Sequence, residues 1–170
     1  MCLLVGIISD SHDDLESIER AVEIFQRMGV DEIIHLGDLI SPFSLKPIIN
    51  SGIPFRLLRG NNDAEALTTI SALENEGAYY PGPVEVLLSE KKALLFHGFG
   101  PKELTRLSAI QLAKSGKFDF VLYGHTHEVH VEEVGGALVI NPGESCGKLT
   151  GRRTVAILET GEKSVEVLDL

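Results

Sequence analysis

Seven side chains carrying nitrogen or oxygen donors follow short apolar runs in this sequence. Asp10 and His12 come after LLVGIIS, Asp38 after EIIHLG, Asn61 after FRLLRG, His97 after ALLF, and His125 and His127 after FVLYG. The set comprises two carboxylates, one amide oxygen and four imidazoles. Each alone has a plain structural use: Asp10 or Asp38 could cap a helix, Asn61 sit in a turn, His97 meet a backbone carbonyl. The same habit at one run after another points instead to a metal site. Seven donors exceed the four of a structural zinc, and no thiolate is among them, so two ions are expected rather than one. A carboxylate can bridge two cations, and Asp38 is the natural bridge. Two ions about 3.5–4 Å apart clamp both oxygens of a phosphoryl displacement. Mixed imidazole and carboxylate donors suit manganese first, then nickel, iron, cobalt or zinc, over a magnesium-only site.

These donors need elements to hold them. Apolar runs of four to six residues bounded by Gly and polar clusters read as buried strands. Between the first two runs, Leu15, Ile18, Val22 and Phe25 have helical spacing, and Asp13 with Glu16 reads as a capping box. A second amphipathic stretch, PKELTRLSAIQLAKSG, has Pro101 near its start and Gly116 at its end. Shorter helices are expected around 42–50 and 64–75. The first half thus alternates strand and helix, which implies a largely parallel sheet. In the second half VEVLLSEKKALLF, VHVEEVGGALVI and TVAILETGEKSVEVL each read as a hairpin. An α/β sheet with added antiparallel hairpins follows, and ligands of such sheets bind beyond the carboxyl ends of the strands.

The 170 residues are expected to make one domain, 1–170, large enough for a full core. With 15 basic against 25 acidic residues the net charge is −10, the wrong sign for gripping long nucleic acid. Cys2 and Cys146 give neither a zinc spacing nor a disulfide framework, so a reducing cytoplasm is the expected setting. The opening MCLLVGIIS has no basic lead-in and is too short for a signal peptide or a membrane span. Oligomeric state is not legible.

Read in order, D-x-H, G-D, G-N-x-D, H-G and G-H-x-H, ending near N-P-G, resemble the calcineurin-like metallophosphoesterase family. The likeness runs from Ser9 to Gly143 and is greatest to the small, single-domain bacterial and archaeal phosphodiesterase branch. It implies a sandwich of two mixed sheets flanked by helices, with a dinuclear centre at one edge. Carried over by motif, Asp10, His12, Asp38 and His127 would bind one metal. Asp38, Asn61, His97 and His125 would bind the other. The resemblance also implies a metal-dependent phosphodiesterase acting on a small phosphate ester, with a metal-bridging hydroxide attacking phosphorus in line and no protein nucleophile. Asp38 and Asn61 would be catalytic through the metals they hold.

The sequence departs from the family in one place that matters. Many members read G-N-H-[DE] and use that His as proton donor; here GNND puts Asn62 in its place, although Cys often stands there in the branch resembled. Relatives with H-G-H differ too, since Phe99 follows His97-Gly98. An amide delivers no proton, and general acid catalysis is worth about 10²–10⁴-fold, so good leaving groups should be favoured. Asn62, Asp63 and Asn141 are then expected as supporting or rim residues, with INPGE a turn lining the rim. The family also contains a retromer scaffold subunit that binds partner proteins, so a weakly catalytic or non-catalytic scaffold is the alternative. A phosphomonoesterase of small metabolites is a further one.

Other motifs fall away. GESCG fits the nucleophile elbow G-x-S-x-G, but no His follows the serine; GESCGK is one residue short of a P-loop. His35 reads as a core or supporting imidazole, His130 as exposed in a hairpin, Cys146 as a bystander near the NPG turn, and Tyr79-Tyr80 as loop packing.

Overall fold

The computed structural model describes residues 2–64 and 66–170; Met1 and Glu65, the latter in the helix expected at 64–75, lie outside the described residues. The strands are β1 (Leu4–Ile8), β2 (Glu32–His35), β3 (Phe55–Leu58), β4 (Ala78–Tyr80), β5 (Val84–Leu88), β6 (Lys91–Phe96), β7 (Phe120–Tyr123), β8 (Val129–Val134), β9 (Ala137–Pro142), β10 (Thr154–Glu159) and β11 (Ser164–Asp169). The helices are α1 (Leu15–Met28), α2 (Pro42–Asn50), α3 (Ala66–Glu74) and α4 (Lys102–Lys114).

The strands form two sheets, one in the order β11-β10-β1-β2-β3-β4 and the other β5-β6-β7-β9-β8. Both are mixed. β1 to β4 run parallel, as do β6, β7 and β9, while β10, β11, β5 and β8 join antiparallel. Alternation along the strands sets the layers. Val5, Ile7, Ile34, Leu36 and Leu58 of the first sheet meet Leu88, Leu95, Phe120, Leu122 and Ile140 of the second. The opposite face of the first sheet, with Ile8, Ile33 and Leu57, packs on Ile18, Phe25 and Leu45 of the helices. Val121, Tyr123 and Val139 do the same for Ala109 and Ala113 of α4. The result is the helix-flanked sandwich of two mixed sheets that the motif resemblance implies.

α1 shows how sequence fixes position. Its face of Ile18, Ala21, Val22 and Phe25 is buried, and Gly29 ends it in the left-handed conformation at φ 70°. Gly6 in β1 makes room for Phe25: a Cβ there would stand 2.7 Å from the ring. Phe25→Ala would empty this contact at a cost of about 3–5 kcal/mol. The cap differs from expectation by one residue. Asp14, not Asp13, accepts from Ser17 N at 3.1 Å. Asp13 instead takes φ 58° and accepts from Ser41 N and from the Ser41 and Ser44 hydroxyls, tying α1 to α2.

Two further expectations are corrected. Tyr79 and Tyr80 belong to a strand, β4, not a loop, and the Tyr80 hydroxyl accepts from Arg56 Nη1 at 3.0 Å. His130 is buried: its Nδ1 meets the Tyr123 hydroxyl at 2.7 Å and its Nε2 meets Glu132 at 2.9 Å. β8 turns Val129 and Val131 outward and His130 inward, the reverse of a simple apolar-in pattern.

Candidate metal centre

All seven expected donors lie just beyond strand ends: Asp10 and His12 after β1, Asp38 after β2, Asn61 after β3, His97 after β6, His125 and His127 after β7. The chain is bent sharply there. Asp10, His12, Asp38, His125 and His127 all have positive φ, between 44° and 68°. Left-handed backbone costs a non-glycine residue about 1 kcal/mol or more and persists only where surroundings enforce it. Here the enforcement is visible. Asp10 N donates to Gly37 O at 3.0 Å and His12 N to Asp38 O at 2.9 Å. His125 N donates to Asp10 Oδ2 at 3.0 Å. Asp63 accepts from Asp38 N (2.8 Å), Ile40 N (2.7 Å) and Gly60 N (2.7 Å).

Glycines let these turns touch. A Cβ on Gly60 would meet Asp38 Oδ1, and one on Gly124 would meet Ser9 Oγ and come within 3.0 Å of Asp10 Oδ2. Asn141, expected as a supporting or rim residue, is fully buried and so does not line a rim. It donates to Gly124 O and Thr126 Oγ1 and accepts from Gly143 N, bracing the GHTH turn.

The side chains converge. Asp38 Oδ2 stands 3.6 Å from His12 Nε2 and 3.5 Å from His97 Nε2. Asp10 Oδ1 stands 3.5 Å from His127 Nε2 and 3.9 Å from His97 Nε2. Asn61 Oδ1 lies 2.8 Å from His125 Nδ1 and 3.1 Å from His97 Nε2. Three described buried polar atoms have no hydrogen-bond partner, and two of them, Asp10 Oδ1 and His12 Nε2, face this centre. Stranding a buried carboxylate oxygen is costly unless a cation meets it. Two groups of potential ligands, Asp10–His12–His127 and Asp10–Asp38–His97, each have donor atoms within 4.8 Å of one another. The residues fit a cation site.

Electrostatics agree. Burial raises the Asp10 carboxyl above its ordinary range against the pull of His97 and His127. Burial acts the same way on Asp38, but the His97 hydrogen bond and charge and both Asn62 donors outweigh it and hold that carboxyl well below the usual range. Burial opposes charge on His97 as well, yet Asp38 and Asp10 prevail and raise its pKa. A divalent cation among these carboxylates would favour the neutral ring and release any proton it carries.

His97 Nδ1 lies 2.8 Å from Leu36 O, leaving Nε2 for a cation. His35 is no ligand. Gly37 N donates to its Nδ1, its Nε2 meets Ser11 Oγ at 2.9 Å, and burial lowers its pKa to about 3, so the ring is neutral. Asn62 donates to Asp38 through both its backbone N and its side-chain amide.

One role in this neighbourhood escaped the sequence reading: Glu144, expected only as part of the INPGE rim turn, is buried and lies 2.8 Å from His127 Nδ1. A signal was present. The β8–β9 hairpin turns at Gly135-Gly136 and pairs Val129 with Pro142, so extending that register by two residues sets His127 opposite Glu144. Glu144 N indeed donates to His127 O at 3.2 Å.

Fold and donor cluster together are those of a metallophosphoesterase. The chain belongs to the calcineurin-like phosphoesterase superfamily, whose domain model matches residues 3–163. It is 41% identical over 162 residues to phosphodiesterase MJ0936 of Methanocaldococcus jannaschii, covering 94% of each chain. It is 27% identical over 150 residues to phosphodiesterase YfcE of Escherichia coli, covering 79% of this chain and 75% of that one. Among solved structures, a novel archaeal phosphodiesterase superposes with a TM-score of 0.89 at 37% identity, over 99% of this chain and all of the other. Vacuolar protein sorting 29 of Cryptosporidium parvum superposes with a TM-score of 0.69 at 19% identity, over 99% and 98% of the two chains, a likeness of fold alone. Among the described residues no helix is long and apolar enough to cross a membrane.

Proposed function

We propose that this phosphodiesterase-type chain works through a dinuclear centre in which Asp10, His12, Asp38 and His127 hold one divalent cation and Asp38, Asn61, His97 and His125 hold the other. The observation that carries it is Asp38 Oδ2, within 3.6 Å of imidazole nitrogens from both sets. Asp38 would serve both cations. Manganese heads the candidate ions, with nickel, iron, cobalt or zinc behind it.

Bound cations supply Lewis-acid stabilisation of the phosphoryl oxygens and an activated water. The chain supplies the rest. Asp10 and Asp38 provide the negative charge that gathers two cations, while the short turns on Gly60 and Gly124 hold the donors in place. Asn62, bonded to Asp38, delivers no proton to a departing alkoxide, so leaving groups stable as anions are favoured. The substrate is a small phosphate diester, handled by one domain, 1–170, in the cytoplasm.

The test is to strip the protein of metal, restore Mn²⁺, and compare bis-p-nitrophenyl phosphate with p-nitrophenyl phosphate, with Asp38→Asn alongside. Metal-dependent turnover of the diester over the monoester, abolished by Asp38→Asn, is the expected result. Tight metal binding without turnover of either ester across Mn, Ni, Co and Zn would remove the catalytic reading.

A further inference from the structure

We propose that Glu144 is a positioning residue for the metal centre: its carboxylate holds His127 as the Nδ1–H tautomer and so presents Nε2 to the cation. The inference rests on the dinuclear reading above.

Glu144 has no solvent exposure. A carboxylate so placed is expensive unless charge or hydrogen bonds compensate it. Among the described residues no Lys or Arg reaches it. Instead it accepts from Leu149 N (2.9 Å), Thr150 N (2.5 Å), the Thr150 hydroxyl (2.8 Å) and the Cys146 thiol (3.2 Å). The loop that read as a failed nucleophile elbow is therefore a cage built from neutral donors around one anion. Its remaining hydrogen bond leaves the loop and goes to His127.

With its oxygens accepting from the Leu149 and Thr150 N–H groups, the Thr150 hydroxyl and the Cys146 thiol, Glu144 acts as an acceptor throughout, so at 2.8 Å the hydrogen between them sits on His127 Nδ1. The lone pair of the neutral ring is then on Nε2, which faces Asp10 Oδ1 at 3.5 Å. Carboxylate, imidazole and cation would stand in line, an arrangement that orients a ligand and raises its basicity. His97 is fixed the same way by a carbonyl, Leu36 O, so the two imidazoles differ in the charge behind them.

A competing use of these atoms is a cation held by His127, Glu144 and Cys146 themselves, whose donors also lie within 4.8 Å of one another. Two facts oppose it. Both Glu144 oxygens are already taken by N–H and O–H donors. The Cys146 thiol is itself spent as a donor to Glu144 Oε2 at 3.2 Å.

The experiment has two arms. Long-range ¹H–¹⁵N spectra of the metal-free protein at pH 8, with His127 assigned through His127→Gln, should show the Nδ1–H tautomer, shifting toward Nε2–H in Glu144→Gln. Mn²⁺ binding is then measured by chelator competition without substrate. Glu144→Gln should weaken one of two ions about 10–100-fold and leave the other within about threefold, with partial rescue by Glu144→Asp. Thr150→Val, which strips a cage hydroxyl but does not touch His127, should lower Tm and leave both affinities unchanged. An Nε2–H tautomer in the wild type, unchanged Mn²⁺ affinities in Glu144→Gln, or an equal loss in Thr150→Val would overturn the proposal. Should Glu144→Gln not fold, the wild-type tautomer and Glu144→Asp decide. A wild type with the Nδ1–H tautomer that binds no Mn²⁺ would remove the dinuclear reading and the proposed role with it. A wild type that binds two ions with the other tautomer would remove the role alone.

Discussion

The side-chain amide of Asn62 donates to Asp38 Oδ2 at 2.7 Å while its backbone N donates to Oδ1 at 2.8 Å. The residue that stands where many relatives keep a histidine is thus turned onto the Asp38 carboxylate and carries no transferable proton. Rates should fall steeply as the leaving group becomes more basic. Asn62→His should raise turnover of alkyl diesters by roughly 10–100-fold and leave bis-p-nitrophenyl phosphate within a few-fold. A series of aryl and alkyl phosphodiesters on both proteins checks this, and equal slopes in the two would sink it.

Asp63 holds three backbone N–H groups around Asp38, Ile40 and Gly60. Asp63→Ala leaves them without their acceptor and frees Asp38 from its left-handed turn. We expect a loss of about 2–4 kcal/mol in urea unfolding of the metal-free protein, together with weaker Mn²⁺ binding. An Asp63→Ala protein of wild-type stability would show the clamp to be dispensable.

Gly124→Ala tests the close approach of the GHTH turn to β1. Its Cβ would meet Ser9 Oγ and crowd Asp10 Oδ2, so either turn must move. The expected outcome is loss of tightly bound metal with a destabilisation of roughly 1–3 kcal/mol. Metal content and Tm report the two effects separately.

His35 should confer pH dependence. Its folded pKa is lowered to about 3 from 6.5 because burial disfavours the charged ring. Between those values the unfolded chain binds a proton that the folded chain refuses, so the stability held above pH 6.5 is lost progressively as pH falls toward 3. From pH 7.5 to 5.0 this one group should remove about 2 kcal/mol from the metal-free protein. His35→Gln should lack that share of the pH dependence when urea curves are compared at the two pH values; an identical loss in both proteins would exclude it.

The donors were legible because each follows a strand, and the five strand ends that carry them, β1, β2, β3, β6 and β7, open on one edge. What depends on contact was not. Asp13 and Asp14 are both able to cap α1, and only the packing of α2 beside it gives Asp13 to Ser41 and Ser44. β4 has three half-buried residues, too short for alternation to show. His130 lies between two exposed valines, so its polarity suggested solvent where Tyr123 and Glu132 instead satisfy it. Glu144 lies inside GESCG, a pattern whose motif meaning concerns its serine; the hairpin register, not the motif, carries its position opposite His127.

The central claim is that two cations share Asp38. Anomalous diffraction from crystals of the Mn²⁺-loaded protein tests it most directly. Two manganese peaks about 3.5–4 Å apart are expected, with Asp38 between them, His12 and His127 on one side and Asn61, His97 and His125 on the other. A single peak, or a peak seated among His127, Glu144 and Cys146, would contradict the account.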